Sequence, residues 1–304
     1  MKKEIRNGAW RSVINLTRGG NCEGLYCEKY RANLLREPPA DGALDNPFLY
    51  GMPILFPVNR IEGGRFVFRG REYAFPINEP KTGCHLHGEL HGMPFAVKEE
   101  SECALTCVYT AERGEYLGFP HAFQIEMEYR LDEGLYHRVT VTNLSREEMP
   151  IFLGFHTTFN TCFTAKSRGE DIRAFAAISE EYERNMAINY LPTGKKPAFD
   201  SVSCALAAGE FNPFEKKISR HYRGCGQMTL TDVEQGLRIV YENDEKYGFR
   251  LIYNGGNEGY ICLEPQTCLA NCPNAPFERS ETGFDFLAEG ESKTYRSKIF
   301  LEEL

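Results

Sequence analysis

The stretch Phe123–Leu131, with the sequence FQIEMEYRL, alternates apolar and polar side chains without interruption. Because successive side chains of a β-strand point to opposite faces, this alternation predicts a strand with one buried side and one solvent-facing side. The turn sequence DEG follows at 132–134, and Leu135, Val139 and Val141 then continue the alternation. The two segments together predict an antiparallel hairpin.

Similar short apolar segments recur along the rest of the chain, separated by turn sequences. Residues 66–68 and 73–75 predict a second hairpin, and residues 237–241, 249–253 and 260–263 predict three further strands. Many short strands at about 8–12-residue spacing are typical of an antiparallel sandwich or barrel.

Helical periodicity is scarce, and its best candidate is the short segment 175–185. We therefore expect an all-β protein with less than about 15% helix, whereas average globular proteins contain roughly 30–35%. The 304 residues include no long linker, low-complexity run or internal repeat, so we expect one domain over residues 1–304.

The composition excludes several classes of partner. The formal net charge is −8, which disfavours nucleic acid or an anionic membrane, because both require a basic surface. No apolar stretch approaches the roughly 18 residues of a membrane span or follows the N-terminus as a signal sequence would. The 11 cysteines lack the spacing of a small disulfide scaffold, so we expect free thiols and a cytoplasmic protein.

Cofactor and metal motifs are absent from the sequence. It contains no phosphate-binding glycine loop, no dinucleotide-binding glycine motif and no Gly-x-Ser-x-Gly turn. Cys84, His85, His87 and His91 lie close together in sequence, but their spacing matches neither C-x2-C nor H-E-x-x-H. We expect no cofactor and no metal, and free cysteines that pack as small hydrophobic residues.

Polar residues stand at the ends of three strongly apolar segments. Asn59 and Arg60 end the first, His156 ends the second and Glu264 lies near the end of the third. A buried Arg needs partners, so Arg60 has a structural salt bridge as its alternative role. A carboxylate or imidazole in such surroundings has a perturbed pKa, but it is also compatible with a hydrogen-bonded core residue. These segments alone do not name a reaction.

Several short motifs occur together in a specific order and spacing. They are Gly51-x-Pro53 followed by Pro57-x-Asn59-Arg60, Gly63 to Gly70 with Phe66, Leu86-His87-Gly88, Gly154-Phe155-His156-x-x-Phe159, Leu191-Pro192-Thr193-Gly194 and Leu263-Glu264-Pro265. With these motifs the chain resembles the aldose 1-epimerase (galactose mutarotase-like) family over nearly its whole length. The resemblance implies a large antiparallel β-sandwich, the galactose mutarotase-like supersandwich, with a sugar bound in a cleft on its concave face.

The resemblance also implies roles for individual residues. Glu264 corresponds to the family's catalytic base and His156 to its catalytic acid, whereas Arg60, His87 and Asn59 correspond to substrate-binding positions. Better-known members have His-Pro-Tyr-Phe where this chain has HTTF at 156–159, and many have a sugar-binding Asp where this chain has no carboxylate. The chain therefore resembles a divergent branch of the family.

The implied reaction is the interconversion of the α and β anomers of a free hexose or related sugar by an isomerase. One carboxylate and one imidazole suffice to move the two protons, without metal or nucleotide. From their ordinary pKa values, about 4.3 for Glu and 6.5 for His, Glu264 would be ionised and His156 partly protonated at neutral pH. A bell-shaped pH profile would then have its acidic limb from Glu264 and its basic limb from His156.

Three alternatives stay open at this point. A hexose-6-phosphate 1-epimerase would need a second basic anchor, for which Arg220, Arg223 and Lys81 are candidates. A non-catalytic carbohydrate-binding protein could use the same scaffold. A glycosidase would require two facing carboxylates, and only Glu264 has a suitable context. In each case we expect a small-molecule sugar as partner and a monomer or homodimer.

Overall fold

The computed structural model describes residues 1–256 and 258–304 and consists mainly of β-strands. Strand accounts for 45% and helix for 7%, which confirms the expectation of an all-β protein with under about 15% helix. The strands, in chain order, are β1 (Lys2–Arg6), β2 (Trp10–Asn15), β3 (Asn21–Cys27), β4 (Ala32–Asn33), β5 (Ile54–Leu55), β6 (Arg60–Glu62), β7 (Arg65–Phe68), β8 (Arg71–Ala74), β9 (Cys84–Leu86), β10 (Ala96–Glu100), β11 (Ala104–Ala111), β12 (Phe123–Leu131), β13 (Leu135–Asn143), β14 (Met149–Ile151), β15 (Gly154–Phe155), β16 (Thr158–Asn160), β17 (Ile172–Ala176), β18 (Glu180–Tyr182), β19 (Ser219–Arg223), β20 (Gly226–Asp232), β21 (Leu237–Asn243), β22 (Phe249–Tyr253), β23 (Tyr260–Gln266), β24 (Asp285–Leu287) and β25 (Ser292–Glu303). The helices are α1 (Ser201–Ala208) and α2 (Arg279–Thr282), with 3-10 turns at Pro47–Leu49, Leu90–Gly92 and Gly169–Asp171.

Two large antiparallel sheets form the sandwich. The eight-stranded sheet has the order β10-β11-β12-β13-β25-β21-β20-β17. The seven-stranded sheet has the order β18-β19-β22-β23-β15-β5, with β16 also paired to β23. A four-stranded sheet, β1-β2-β3-β4, and the pairs β6-β9, β7-β8 and β14-β24 complete the described topology.

Both hairpins predicted from the sequence are confirmed. Strands β12 and β13 pair from Phe123↔Asn143 to Leu131↔Leu135, and the apolar residues of the alternation are buried. Strands β7 and β8 form the second hairpin, with Phe66 opposite Tyr73 and their rings stacked.

The helix expected at 175–185 is wrong. That segment contains the end of β17 and the whole of β18, and in β17 burial alternates every second residue. The longer helix is α1, whose N-cap Asp200 accepts hydrogen bonds from two backbone amides of the first turn. In the part of the chain that the structure describes, no helix has the length and apolar character needed to cross a membrane.

The main core lies between the two large sheets. The ring of Phe159 packs against Tyr241 at 5.6 Å, and the ring of Phe155 packs against His137 at 4.8 Å. Side chains of β23 alternate, so Ile261 and Leu263 join this core. The alternate residues Cys262 and Glu264 face the opposite side of the seven-stranded sheet, and this side carries the pocket described next.

Candidate active site

A pocket of about 270 Å³ opens on the outer face of the seven-stranded sheet. Its volume lies below the roughly 300–1,000 Å³ of sites for drug-sized ligands, which suits one small polar molecule. The structure brings all five residues predicted as site residues into its wall. The wall consists of Asn46, Phe48, Asn59, Arg60, Glu79, Leu86, His87, His156, Arg184, Tyr190, Ser219, Leu251, Tyr253 and Glu264.

Glu264 and His156 form a contact at the base of this pocket. Glu264 lies on β23 opposite Leu251 of β22, and His156 directly follows β15, where its amide donates to the carbonyl of Pro53. His156 Nε2 lies 3.3 Å from Glu264 Oε1, and the two side chains are only 9% and 1% exposed. His156 Nδ1 is buried and makes no hydrogen bond with the described residues. The pair is therefore largely shielded from solvent by the surrounding protein.

Burial shifts the two pKa values in opposite directions, because a dry environment favours the neutral form of each group. It raises the pKa of Glu264 to about 8, although Gln266, Arg184 and Arg60 act in the opposite direction. It lowers the pKa of His156 to about 4. Between these values the pair holds one titratable proton, which lies on Glu264. The order of the two pKa values is the reverse of the order expected from the sequence.

A chain of hydrogen bonds fixes the orientation of Glu264. Gln266 Nε2 donates to Glu264 Oε2 at 3.0 Å, and Gln266 Oε1 accepts from Asn59 Nδ2 at 3.1 Å. Gln266 and Glu264 are both on β23, two residues apart, so their side chains share one face. Asn59 therefore acts on the carboxyl group through Gln266 and does not contact it.

His87 is held with a defined nitrogen toward the pocket. Its Nδ1 accepts a hydrogen bond from the backbone amide of Asn59 at 3.2 Å, so the neutral ring carries its proton on Nε2. Burial, and then the neighbouring His156, place the pKa of His87 well below its usual value. Gly88 follows with φ +63°, and a Cβ there would overlap the carbonyl oxygen of Phe56. The glycine thus permits the close approach that positions His87.

Arg60 is anchored as well as exposed to the pocket. Its Nε and Nη2 each donate to a carboxylate oxygen of Glu79 at 2.7 Å, and its guanidinium lies 4.5 Å from the ring centre of Tyr190. Burial raises the pKa of Glu79, but hydrogen bonds from Arg60 and Thr82 outweigh this, and the net shift is downward. The salt bridge considered for Arg60 in the sequence is present, and the same side chain also lines the pocket.

The sequence matches the family model described as aldose 1-epimerase over residues 1–299. The chain belongs to the aldose 1-epimerase family.

Several solved structures and a curated protein are similar to this chain. A galactose mutarotase-like protein from Clostridium acetobutylicum is 28% identical, with a TM-score of 0.91 over 100% of this chain and 99% of that chain. An aldose epimerase homologue from C. elegans has 13% identity and a TM-score of 0.82 over 100% and 99%, which is a likeness of fold alone. YphB of Escherichia coli (strain K12), an uncharacterized protein, is 27% identical over 300 residues, 94% of each chain. The galactose mutarotase-like fold is thus confirmed.

Sequence reasoning missed several residues of this aldose epimerase pocket. Gln266 could have been found, because it lies two positions after Glu264 on one strand. Glu79 comes from the segment between β8 and β9 and Phe48 from the 3-10 turn Pro47–Leu49, whereas Arg184 reaches the pocket because β18 pairs with β19. Such long-range pairings leave no local signal in the sequence.

The residues of the Cys84–His91 segment point in different directions. His85 Nδ1 lies 2.7 Å from the carbonyl oxygen of Pro76, while the ring of His91 packs 4.5 Å from that of Phe48. Among the described residues, no group of three His, Cys, Asp or Glu side chains is arranged to hold a metal ion. Independence from metal stays a prediction for this family member.

Proposed function

We propose that this protein interconverts the α and β anomers of an unphosphorylated hexose or related sugar. The observation that carries the proposal is the buried Glu264–His156 pair, with 3.3 Å between carboxyl oxygen and imidazole nitrogen. Membership of the aldose 1-epimerase family supports it.

The geometry suits the two proton transfers of anomer exchange. The C1 hydroxyl must lose a proton while the ring oxygen gains one, and both oxygens are bonded to C1. Two adjacent groups that share one proton can therefore contact both oxygens. Ring opening gives the free aldehyde, the C1–C2 bond rotates, and closure reverses the two transfers, so no other reactant is consumed.

Sugar binding changes which residue of the pair carries the proton. Anomer exchange needs an ionised base near the C1 hydroxyl and a protonated acid near the ring oxygen, which together carry one titratable proton. The Glu264–His156 pair also carries one titratable proton between pH values of about 4 and 8. Hydrogen bonds from sugar hydroxyls stabilise an ionised Glu264 and a charged His156, because they offset the loss of solvation that burial causes. The reactive form is the singly protonated pair, whichever residue holds the proton before binding.

Two further pocket residues supply donors for sugar oxygens. The Nε2–H of His87 and the guanidinium of Arg60 both border the cavity. Arg60 is a fixed donor because Glu79 holds its side chain from behind. Donors that do not reorganise during the reaction stabilise the negative charge that develops on oxygen.

The basic residues considered for a phosphate group do not line the pocket. Arg220 alternates with Ser219 on β19, so it faces the other side of the sheet, where it binds Asp200 and Glu181. Arg223 donates to the carbonyl of Glu281, and Lys81 is exposed. This arrangement supports an unphosphorylated substrate.

A glycosidase mechanism lacks its second carboxylate. Glu79 is the other carboxyl group in the wall, but Arg60 and Thr82 occupy its oxygens and lower its pKa. Beside a protonated Glu264, glycoside hydrolysis would need an ionised carboxylate that is free to attack C1 or to activate water, and Glu79 is not free because Arg60 and Thr82 engage both of its oxygens. The pair of facing acids that glycoside hydrolysis uses is therefore not formed by these residues.

The direct test measures mutarotation by polarimetry over a panel of free sugars, in the presence of a chelator. We expect Glu264→Gln and His156→Asn each to remove most of the rate above the spontaneous reaction, because general acid–base groups contribute about 10²–10⁴-fold. His91→Asn is the matched control, since its imidazole lies outside the pocket wall, and should keep its turnover.

Thermal melts and sugar-binding titrations accompany the kinetics. The proposal requires that both variants stay folded and still bind sugar. Near-parental turnover in folded Glu264→Gln would refute the mechanism. Saturable sugar binding without acceleration of any anomer exchange by the parent protein would favour the carbohydrate-binding alternative.

A further inference from the structure

Arg184 is a buried cation in the wall of the pocket that the proposed reaction does not use. It follows β18 and is only 8% exposed. Its Nη2 donates to the backbone carbonyl of Ser219 at 2.7 Å and to the hydroxyl of Ser219 at 3.0 Å. Both contacts use the same nitrogen and neither partner carries a charge.

The rest of the guanidinium has no partner in the described parts of the chain. Nε and Nη1 carry its three other N–H donors, and neither makes a hydrogen bond or ion pair with a described residue. Arg250 offers a comparison within the same sheet. It is also buried without a counter-ion, but it donates to the backbone carbonyls of Tyr247, Phe249 and Gly226 in the core. Arg184 instead borders an open cavity.

The charges of the pocket wall leave one positive charge in excess. The bidentate contact with Glu79 compensates Arg60. At neutral pH Glu264 is largely protonated in the empty pocket, since burial raises its pKa to about 8. Burial and then Arg60 lower the pKa of Arg184 to about 10, so its guanidinium stays charged. A buried cation without a counter-ion destabilises a protein unless a ligand supplies the opposite charge.

Arg184 is hydrogen-bonded to a residue that lies two strands away from Glu264. Its partner Ser219 is on β19, Glu264 is on β23, and β22 lies between these strands. Ser219 is level with Tyr253 and Cys262, two residues from Glu264, so with strands about 4.8 Å apart the backbone positions of Ser219 and Glu264 are separated by roughly 12 Å. A pyranose whose C1 lies at Glu264 and His156 therefore presents its opposite end toward Arg184.

We propose that Arg184 binds a singly charged carboxylate at the end of the sugar remote from C1, which makes the substrate an aldose acid of the hexuronate class. This inference rests on the proposed anomer exchange and specifies its substrate. A carboxylate matches one uncompensated guanidinium in charge. A phosphate dianion would need a second free cation, and Glu79 already holds Arg60.

The test compares sugars that differ only at C6, namely galacturonate with galactose and glucuronate with glucose. With the parent protein we expect kcat/KM for a uronate to exceed that for its neutral partner by at least about 10-fold. Arg184→Gln should lower kcat/KM for the uronate by roughly 100-fold, because it removes one partner of a buried charge pair. The same change should lower kcat/KM for the neutral hexose by a much smaller factor, because no charge pair with the substrate is lost there, and Arg184→Lys should retain part of the preference.

Arg223→Gln is the matched control. It removes a cation from the same sheet face but outside the pocket wall, so it should alter neither rate. Titration calorimetry with galacturonate and the Glu264→Gln variant measures binding independently of turnover.

The outcomes separate this inference from the proposed function. Turnover of neutral hexoses with no preference for uronates, or equal losses for both in Arg184→Gln, overturns the inference and leaves anomer exchange intact. Preference for glucose 6-phosphate over glucuronate also overturns it. If no sugar is turned over, the proposed function fails, whereas uronate binding that requires Arg184 would still establish the carboxylate site.

Discussion

The pKa values of Glu264 and His156 depend on burial more than on their mutual attraction. Each side chain lies in a nearly dry pocket, and desolvation is the largest cause of both shifts. The sequence supplies ordinary pKa values and the residue types, but burial of a side chain is a property of the folded chain. The two residues predicted from the sequence therefore do line one pocket, but the order of their pKa values is the opposite of the expected one.

Infrared spectroscopy can locate the shared proton. We expect a protonated-carboxyl band that is lost in Glu264→Gln and that titrates with a pKa of about 8. The pH profile of kcat/KM should then fall on the acidic side as His156 gains a proton near pH 4 and on the basic side as Glu264 loses one near pH 8. A carboxyl group already ionised at pH 6 would contradict this assignment.

The raised pKa of Glu264 also makes stability depend on pH. Unfolded Glu264 loses its proton near the ordinary value of 4.5, but the folded protein keeps it until about 8. In this window the folded state binds more protons, so the free energy of unfolding falls as pH rises, by at most about 1.4 kcal/mol per pH unit. Replacing Glu264 by Gln removes this loss.

Urea unfolding at pH 5, 6, 7 and 8 tests the sign. The stability advantage of Glu264→Gln over the parent should grow steadily with pH, while the contribution of His156 is common to both proteins. Glu281→Gln is the control, since its side chain is 41% exposed and its pKa is lowered, mainly by the hydrogen bond from Lys196, so the carboxyl is ionised in both states across this range. A difference that is flat or decreasing for Glu264→Gln would show that its carboxyl is already ionised in the folded protein.

At the scale of elements, β23 carries the site because its two faces have separate tasks. Ile261 and Leu263 bind the strand to the core, and Glu264 and Gln266 point into or beside the pocket. The alternating sequence therefore fixes the direction of the Glu264 carboxyl group through the packing of its neighbours. This part of the site was predictable from one segment.

Replacing Gln266 by Leu tests its role as a positioning residue. The hydrogen bond from Gln266 lowers the pKa of Glu264, so its loss should raise that pKa further and move the basic limb of kcat/KM to higher pH. We also expect kcat to fall by roughly 10-fold, because the carboxyl group is less firmly oriented. Gln227→Leu on β20, where the side chain is exposed and bonded to Glu242, is the matched control. A fall in stability without movement of the limb would indicate a structural role alone.

At the scale of the whole molecule, periodicity predicted strands far better than it predicted their partners. The hairpin of β12 and β13 is local and was predicted with its turn. By contrast, the segment 175–185 mixes buried and polar residues in a way that fits a helix or two short strands. It forms strands because β17 pairs with β20 and β18 pairs with β19. Residues contributed by distant pairings, such as Arg184, were missed for the same reason.

The C-terminal strand gives the sharpest test of the single-domain prediction. Strand β25 lies between β13 and β21 inside the eight-stranded sheet, and its Tyr295 and Ile299 are buried in the main core. Deleting residues 292–304 would leave two rows of backbone groups unpaired, so we expect no cooperative thermal transition and no native circular dichroism spectrum. Deleting Lys2–Arg6 instead removes the edge strand β1, which pairs with β2 alone, and should lower the melting temperature while the fold survives.

The full chain should melt in one transition whose calorimetric and van't Hoff enthalpies agree, because the core cluster joins residues from Ile5 to Ile299. A cooperative transition that persists after deletion of 292–304 would mean that part of the chain folds independently, and the prediction of one domain over 1–304 would be wrong.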